Sequence, residues 1–150
     1  MAQSLSKIYV HLIFSTKSRE RTIPDEIRPT LHSYMGGILR DNHCIPVEIN
    51  TEPDHAHVLF ILSRTAALSE VIGHLKKGST NWLHEESPAY RGFYWQNGYG
   101  AFSVSQSGVA EVQDYIRHQR EHHRKTTFQD ELRAFLKRYG IEFDERYVWD

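Results

Sequence analysis

Residues 44–63 read CIPVEINTEPDHAHVLFILS, and this stretch decides the fold. Its two halves, residues 44–51 and 55–63, have the composition of β-strands, and the triplet Glu52-Pro53-Asp54 between them is typical of a turn. The apolar residues of the second half fall on both faces, as expected of a central strand that is covered on both sides. The stretch therefore predicts two consecutive strands, the second of them inside a sheet.

Further strands and helices alternate on either side of this pair. Residues 8–15 predict a strand before it, and residues 93–106 contain a fourth strand after it. The spacing of apolar residues predicts helices from Pro24 through Ile38, over 66–85, from Ser107 to about 124 and over about 128–139. The order β-α-β-β-α-β followed by two helices is the ferredoxin-like split βαβ pattern. We therefore predict an α+β fold with an antiparallel sheet, helices on one face plus C-terminal helices, and a second face open for a site or another subunit.

The composition is that of a single soluble domain. The chain has 150 residues, of which 39% are hydrophobic and 25% charged, enough for one domain over residues 1–150. Its start, MAQSLSKIYVHLIF, lacks the pattern of a signal peptide, and no apolar run approaches the roughly 18 residues of a membrane span. With Cys44 as its one cysteine, the chain is expected in a reducing cytoplasm, without a membrane partner.

The charge pattern limits the kind of nucleic acid that the chain can hold. A net charge of −1 counts against a protein that grips long duplex DNA by its phosphates. It permits a protein that binds a short, folded single strand through a local basic surface. Lys76 with Lys77, and Arg117 with Arg120, are the candidate DNA-binding residues. Each of these clusters can also be an ordinary solvated face.

The motif His55-Ala56-His57 is the first candidate for a functional site. Residues i and i+2 of a strand project from the same face, with Cα atoms about 6.6 Å apart, so two imidazoles at this spacing can close on one divalent metal ion. With ten histidines in the chain, a chance pair is the competing explanation. A position on a central strand, directly after a turn, favours the metal site.

Tyr115 and Gln119 form the second candidate, since residues i and i+4 share one face of a helix. A phenol, with a pKa near 10, is a poor nucleophile until a neighbour removes its proton. A divalent ion polarises a phosphodiester, so attack by Tyr115 on phosphorus would form a phosphotyrosine and free a DNA hydroxyl. That step conserves the bond energy and allows strands to be rejoined. Alternatively, Tyr115 merely packs at the edge of its helix.

Together these residues resemble the single-tyrosine HUH transposases of the smallest bacterial insertion sequences, named after a histidine–hydrophobic–histidine motif. The resemblance covers nearly the whole chain. It rests on PDHAHVLF around His55 and His57, and on these further segments: KIYVHLIFSTKSRERTI, HLKKGSTNWL, FYWQNGYGAFSVS and VQDYIRHQREHHRKTTFQDELRAFLKRYGIEFDERYVW. Ala56 is smaller than the usual middle residue of the motif, which affects packing only, because its side chain points away from the metal.

The resemblance implies roles for particular residues. Tyr115 would be the nucleophile, and His55, His57 and Gln119 would be the ligands of Mg²⁺ or Mn²⁺. The substrate would be single-stranded DNA whose element ends carry hairpins, cleaved to a 5′-phosphotyrosine and a 3′-hydroxyl. Such proteins are homodimers, in which the tyrosine helix of one subunit can complete the metal site of the other. Gly108 would suit a hinge for that exchange.

Other functions stay open at this point. A host-adopted, repeat-associated tyrosine transposase would share the site and differ in its substrate. A catalytically silent nucleic-acid-binding module would present aromatic residues on the open sheet face and need no Tyr115. A hydrolytic zinc enzyme would need a further His, Asp or Glu ligand beside His55 and His57. His118, His122 and His123 are expected at the surface or against DNA, and Trp82 and Trp95 either in the core or stacked on bases.

Overall fold

A four-stranded antiparallel sheet organises the computed structural model, which describes residues 2–150. The strands are β1 (Tyr9–Ser15), β2 (Ile45–Glu52), β3 (His55–Ile61) and β4 (Gly100–Val104). Their order across the sheet is β2-β3-β1-β4, with every neighbouring pair antiparallel. This is the order of the ferredoxin-like split βαβ fold, so the predicted fold class is confirmed.

The hairpin predicted from residues 44–63 is present, with β3 in the interior of the sheet. Glu52 pairs with His55 across the turn formed by Pro53 and Asp54. β2 lies at the edge, where Pro46, which lacks an N–H group, stands next to an irregularity in the pairing. β3 pairs along its whole length with β1 on its other side. The turn therefore places His55 at the start of a strand held from both sides.

One face of the sheet packs against α1 (Arg28–Asp41) and α2 (Leu68–Glu86). Every second residue of β1 and β3 points to these helices, as the two-residue period of a strand requires. This main core contains Val10, Leu12, Phe14, Val58, Phe60, Leu31, Met35, Leu39, Val71, Ile72 and Leu75. Pro29 lies in the first turn of α1, where a missing N–H costs no hydrogen bond.

The other face is covered by α3 (Val109–Arg117), α4 (Gln119–His122) and α5 (Phe128–Arg138). Phe128, Leu132 and Leu136 of α5 pack on Ile13 and Phe102 of the sheet, while Leu59 packs with Tyr9 and Ile116. The expectation of an open second face is therefore wrong. This face carries apolar residues too, and the amphipathic C-terminal helices bury their own apolar sides by covering it.

The C-terminal helices differ from the predicted ones in their boundaries. Gly108, not Ser107, is the N-cap residue of α3, and His118 separates α3 from α4 where one continuous helix to about residue 124 was expected. α5 begins as predicted, with the Thr127 side chain accepting a hydrogen bond from the Asp130 N–H at 3.2 Å. None of the helices within residues 2–150 has the length and apolar character needed to cross a membrane.

Candidate active site

The two histidines of β3 lie on the face covered by α3, α4 and α5, and both are buried. Their shared orientation follows from the period of the strand, while the alternate residues Ala56 and Val58 enter the main core. The ring centroids of His55 and His57 are 5.3 Å apart. The sequence-predicted pair is thus assembled on one side of a rigid strand.

Each of these histidines is held through its Nδ1 atom. His55 Nδ1 lies 2.7 Å from the carboxylate of Asp54, and His57 Nδ1 lies 2.8 Å from Nε2 of His11 on β1. Histidines that bind metals are commonly oriented in this way, with the second ring nitrogen bonded to a neighbouring group. Asp54 was interpreted as a turn residue only, but it also fixes the ring of His55. Both Nε2 atoms are thereby directed towards side chains of the covering helices.

The predicted Tyr115 and Gln119 reach the same place from the covering helices. Gln119 Oε1 lies 3.2 Å from His55 Nε2, and the Tyr115 ring centroid lies 5.8 Å from that of His57. Gln119 is buried, and Tyr115 is partly buried. The structure therefore brings together all four residues to which the sequence assigned catalytic or metal-binding roles.

A fifth residue, Glu131 of α5, stands among them and was missed. Its Oε1 lies 2.8 Å from His57 Nε2, and its Oε2 accepts hydrogen bonds from Gln119 Nε2, at 3.2 Å, and from the Tyr115 hydroxyl. The residue is only 3% exposed. One signal in the sequence could have revealed it: Glu131 falls on the apolar face of α5, three residues after Phe128 and four before Phe135. A carboxylate at such a position needs a partner in the interior.

His123 is a further member, although it was expected at the surface or against DNA. Its Nε2 lies 3.1 Å from Glu131 Oε2, yet it makes no hydrogen bond of acceptable geometry within residues 2–150. Ligand atoms of His55, His57, His123 and Glu131 all lie within 4.8 Å of one another. A buried imidazole nitrogen that lacks a hydrogen-bond partner and lies beside a carboxylate is suited to bind a metal ion.

The electrostatics of the cluster favour a cation. Burial alone would raise the pKa of Glu131, but the surrounding histidines, His57 first, hold that pKa well below its ordinary value, so the carboxylate is charged. Burial lowers the pKa of His57, which favours its neutral form. Burial and then the Glu131 carboxylate raise the pKa of Tyr115 well above its ordinary value. A neutral His57 and an anionic Glu131 are the protonation states that a divalent ion requires. Burial would lower the pKa of His123, but the adjoining Glu131 carboxylate raises it above its ordinary value.

The chain also matches the model of a known protein family. The model of the family described as transposase IS200 like matches residues 4–119, which contain all four sequence-predicted site residues. The chain belongs to the IS200-like transposase family. The resemblance stated from the sequence is thereby confirmed.

Individual transposases show similarity over most of this chain. The transposase for insertion sequence element IS200 of Salmonella typhimurium is 28% identical, over 74% of this chain and 76% of its own length. The ISDra2 transposase TnpA of Deinococcus radiodurans is 25% identical, over 74% of this chain and 83% of its own. The alignments thus cover about three quarters of this chain and at least 76% of each relative.

Two solved structures resemble the transposase fold described above. A protein from Deinococcus radiodurans R1, described as a candidate transposase, superposes with a TM-score of 0.60 at 26% identity, covering 79% of this chain and 98% of that one. A REP-associated tyrosine transposase bound to a REP hairpin superposes with a TM-score of 0.57, covering 82% of this chain and 74% of that one. At 14% identity, the second likeness shows the fold alone.

The basic residues predicted to contact DNA in this IS200-like transposase are mostly engaged within the chain. The ammonium of Lys76 donates to the carbonyl oxygens of Gln96, Asn97 and Gly98 at 2.9, 3.3 and 2.6 Å. Lys77, the next residue, is exposed. Phosphate binding by Lys76 and Lys77 stays a prediction, with Lys77 the better placed of the two.

Both arginines of the second basic cluster form ion pairs. Arg117 Nε lies 2.9 Å from Glu48, and Arg120 bridges Asp25 and Glu52 at 2.6 and 2.8 Å. Arg120 also lines a surface cleft of about 430 Å³ beside His123, together with Arg21, Arg124 and Lys125. Their DNA contacts also stay predictions, and the cleft is where Arg120 could make them.

Proposed function

We propose that this transposase cuts and rejoins single-stranded DNA at hairpin-bearing element ends by metal-assisted transesterification through a 5′-phosphotyrosine on Tyr115. The single observation that carries the proposal is the convergence of a tyrosine hydroxyl, two strand-borne imidazoles and an amide oxygen at one buried point. These groups come from β3, α3 and α4, and membership of a transposase family makes DNA strand transfer the reaction class that they fit.

The chain's own residues account for the handling of the nucleophile's proton. The Tyr115 hydroxyl donates to Glu131 and lies 3.3 Å from Nε2 of His122, so a carboxylate and an imidazole adjoin it. Loss of this proton lets the phenolate oxygen bond to phosphorus while the bond from phosphorus to the 3′-oxygen breaks. The departing 3′-oxygen takes up the proton that Tyr115 gave to one of these neighbouring groups, and the strand leaves with a 3′-hydroxyl. The reverse attack, by another 3′-hydroxyl, restores free Tyr115 and a joined strand.

The donor set fits a divalent ion, Mg²⁺ or Mn²⁺, at His55, His57 and Gln119. Two imidazoles and one amide oxygen leave coordination positions for phosphate oxygen and water. When bound, the ion would polarise the phosphodiester and neutralise the charge that develops on it. The orphaned nitrogen of His123 and the Nδ1 partners of His55 and His57 support such a site.

Access for DNA requires movement of the covering elements. His55, His57 and Gln119 are each no more than 1% exposed, so a phosphodiester reaches them only when α5 or the segment before it shifts. The cleft is lined by His123, which belongs to the cluster, and its basic residues suit the phosphates of a strand. A hairpin as partner is supported by the REP hairpin bound to one structural neighbour.

The proposal is tested with single-stranded oligonucleotides taken from the ends of the chain's own element. They are incubated with the protein and Mg²⁺ or Mn²⁺ and run on a denaturing gel, beside Tyr115→Phe and His57→Ala. A protein–DNA adduct that both substitutions abolish is expected.

Three other outcomes point elsewhere. Cleavage that survives Tyr115→Phe indicates water as nucleophile and a hydrolytic enzyme, for which His123 and Glu131 supply the further ligands that such a metal site requires. Binding without cleavage in any lane indicates a silent DNA-binding module. Cleavage of dispersed repeat hairpins in preference to element ends indicates a host-adopted transposase.

A further inference from the structure

Glu131 is a buried carboxylate whose ionic partners are imidazoles. Within residues 2–150, the cationic or potentially cationic groups within 4.0 Å of its oxygens belong to His55, His57, His122 and His123. Burying an anion is costly unless a cation and hydrogen bonds compensate it. A divalent ion held between this carboxylate and the imidazole nitrogens would supply that compensation.

The lone pairs around His55 conflict when no cation stands between them. Its Nδ1–H donates to the Asp54 carboxylate, so Nε2 of the neutral ring presents a lone pair. That lone pair faces Gln119 Oε1 at 3.2 Å and Glu131 Oε1 at 3.8 Å. Exchanging the oxygen and nitrogen of the Gln119 amide would not help. The amide oxygen would then occupy the position of Nε2, which lies 3.2 Å from Glu131 Oε2, and two acceptors would face each other there. A cation between these atoms removes the conflict.

The dimensions of the cluster match a coordination shell. An ion that binds oxygen and nitrogen ligands at about 2.1 Å keeps opposite ligands about 4.2 Å apart. The ligand atoms of His55, His57, His123 and Glu131 lie within 4.8 Å of one another, so shifts of a few tenths of an ångström would close them on one ion. Three of the four side chains are buried, and His123 is partly so.

From these observations we infer that Glu131 and His123 are ligands of the divalent ion, so that the metal centre of this chain extends beyond His55, His57 and Gln119. The inference rests on the proposed function and adds the ligands that make the site specific to this chain. Glu131 supplies the negative charge that a site of two imidazoles and an amide lacks. The second oxygen of Glu131 accepts a hydrogen bond from the Tyr115 hydroxyl. Through this residue, α5 couples metal binding to the position of the nucleophile.

The test measures binding of Mn²⁺ to the full chain, without DNA, from the loss of the electron paramagnetic resonance signal of free Mn²⁺. Glu131→Gln, which keeps the size of the side chain and removes its charge, is expected to raise the dissociation constant for Mn²⁺ at least about tenfold. His123→Gln is expected to raise it as well. Asp130→Asn, on the neighbouring exposed residue of α5, is the matched control and should leave it unchanged.

The outcomes separate this inference from the proposed function. If His57→Ala loses Mn²⁺ while Glu131→Gln binds it as tightly as the wild type, the two β3 histidines hold the ion and Glu131 is a structural partner only, so the inference is overturned. If the wild type binds no Mn²⁺, both the inference and the metal-assisted step of the proposed function fail. Tyr115→Phe should retain the affinity, whatever its effect on DNA cleavage.

A second measurement covers the case in which Glu131→Gln does not fold. Crystals of the wild-type protein soaked in MnCl₂ give an anomalous signal that locates the ion without any substitution. The inference requires a carboxylate oxygen of Glu131 within about 2.2 Å of the ion and Nε2 of His123 in the same shell. An ion bound by His55 and His57 with Glu131 more than about 3.5 Å away would refute it.

Discussion

At the scale of single residues, the site depends on which nitrogen of each histidine is free. His11 was not singled out from the sequence, yet its Nε2 contacts Nδ1 of His57 and its ring packs edge-on against Phe135. It is buried, and burial lowers its pKa well below the ordinary value, so it serves as a neutral hydrogen-bonding partner. We interpret His11 as a positioning residue for His57.

Replacing His11 by phenylalanine should therefore weaken metal binding without removing a ligand. His11→Phe keeps a ring of similar size but leaves His57 Nδ1 without its partner, so the dissociation constant for Mn²⁺ is expected to rise about 10- to 100-fold. Isothermal titration calorimetry measures the change. His74→Phe, on the solvent side of α2, is the control. Unchanged affinity in His11→Phe would show that packing alone orients His57.

A second histidine, His32 of α1, should make stability depend on pH. Burial, assisted by the charge of Arg28, lowers its pKa from 6.5 to about 4, and Nε2 lies 2.8 Å from Thr51 Oγ1. Since the unfolded chain takes up this proton at a higher pH than the folded one, the contribution of His32 is complete above pH 6.5. It is lost as the pH falls towards 4, by about 3 kcal/mol at most.

Urea unfolding at pH 7.5 and pH 4.5 measures this contribution when the wild type is compared with His32→Gln. The glutamine can still bond to Thr51 but does not titrate, so the variant should lose less stability between the two pH values. An equal loss in both proteins would mean that His32 titrates normally in the folded state.

At the scale of elements, α5 has two tasks, since it covers the second face of the sheet and carries Glu131. Its apolar contacts are made by buried side chains: Leu132 is 3% exposed and packs beside Phe128, Leu136, Ile13 and Phe102. The geometry of the site therefore depends on the docking of this 11-residue helix on the sheet.

Truncation of Leu132 tests this docking. Leu132→Ala removes buried methyl groups and leaves a cavity, so the free energy of unfolding should fall by about 2–5 kcal/mol. Lys137→Ala, at an exposed position on the same helix, should change it by less than about 0.5 kcal/mol. Chemical denaturation followed by circular dichroism distinguishes the two. A small loss in Leu132→Ala would mean that α5 contributes little to the folded state.

Metal binding should in turn stabilise α5. If Glu131 ligates the ion, saturating Mn²⁺ is expected to slow amide hydrogen exchange in residues 128–138, because opening of the helix must then break a metal bond. Exchange followed by mass spectrometry, with and without Mn²⁺, gives the result. Glu131→Gln should show no such protection in α5, and protection that persists there would contradict the coupling.

At the scale of the whole molecule, a single chain brings the site residues together. Within this chain, Tyr115 stands over its own His57, so the site is complete in cis. Gly108, the expected hinge for exchange between subunits, has a φ of −95°, a value that any residue adopts. The homodimer and the completion of sites in trans stay predictions from the resemblance.

Mixing two inactive variants decides between the arrangements. The cis geometry predicts that Tyr115→Phe mixed with His57→Ala forms no protein–DNA adduct, because every site then lacks one essential group. Recovery of adduct in the mixture, to a fraction of the wild-type level, would show that the helix of one subunit serves the site of another. Light scattering on the same mixtures reports whether dimers are present.

Local periodicity explains how much of this transposase could be predicted from its sequence. The two-residue period of β3 places His55 and His57 on one face. The four-residue spacing of Tyr115 and Gln119 predicted that these two would also lie together, and they do so although α3 ends between them at His118. These relations hold over a few residues, so a sequence displays them directly. The element order and the family followed in the same way, from local segments taken in sequence.

The tertiary structure alone decided which faces meet. Glu131 lies 74 residues from His57 along the chain, and His11 lies 46 residues from it, yet both make direct contact with its ring. No local period relates such positions, because the docking of α5 on the second face results from burial of apolar surface summed over the whole chain. For that reason, the motif His55-Ala56-His57 was evident from the sequence, whereas the carboxylate and the further imidazoles around it were not.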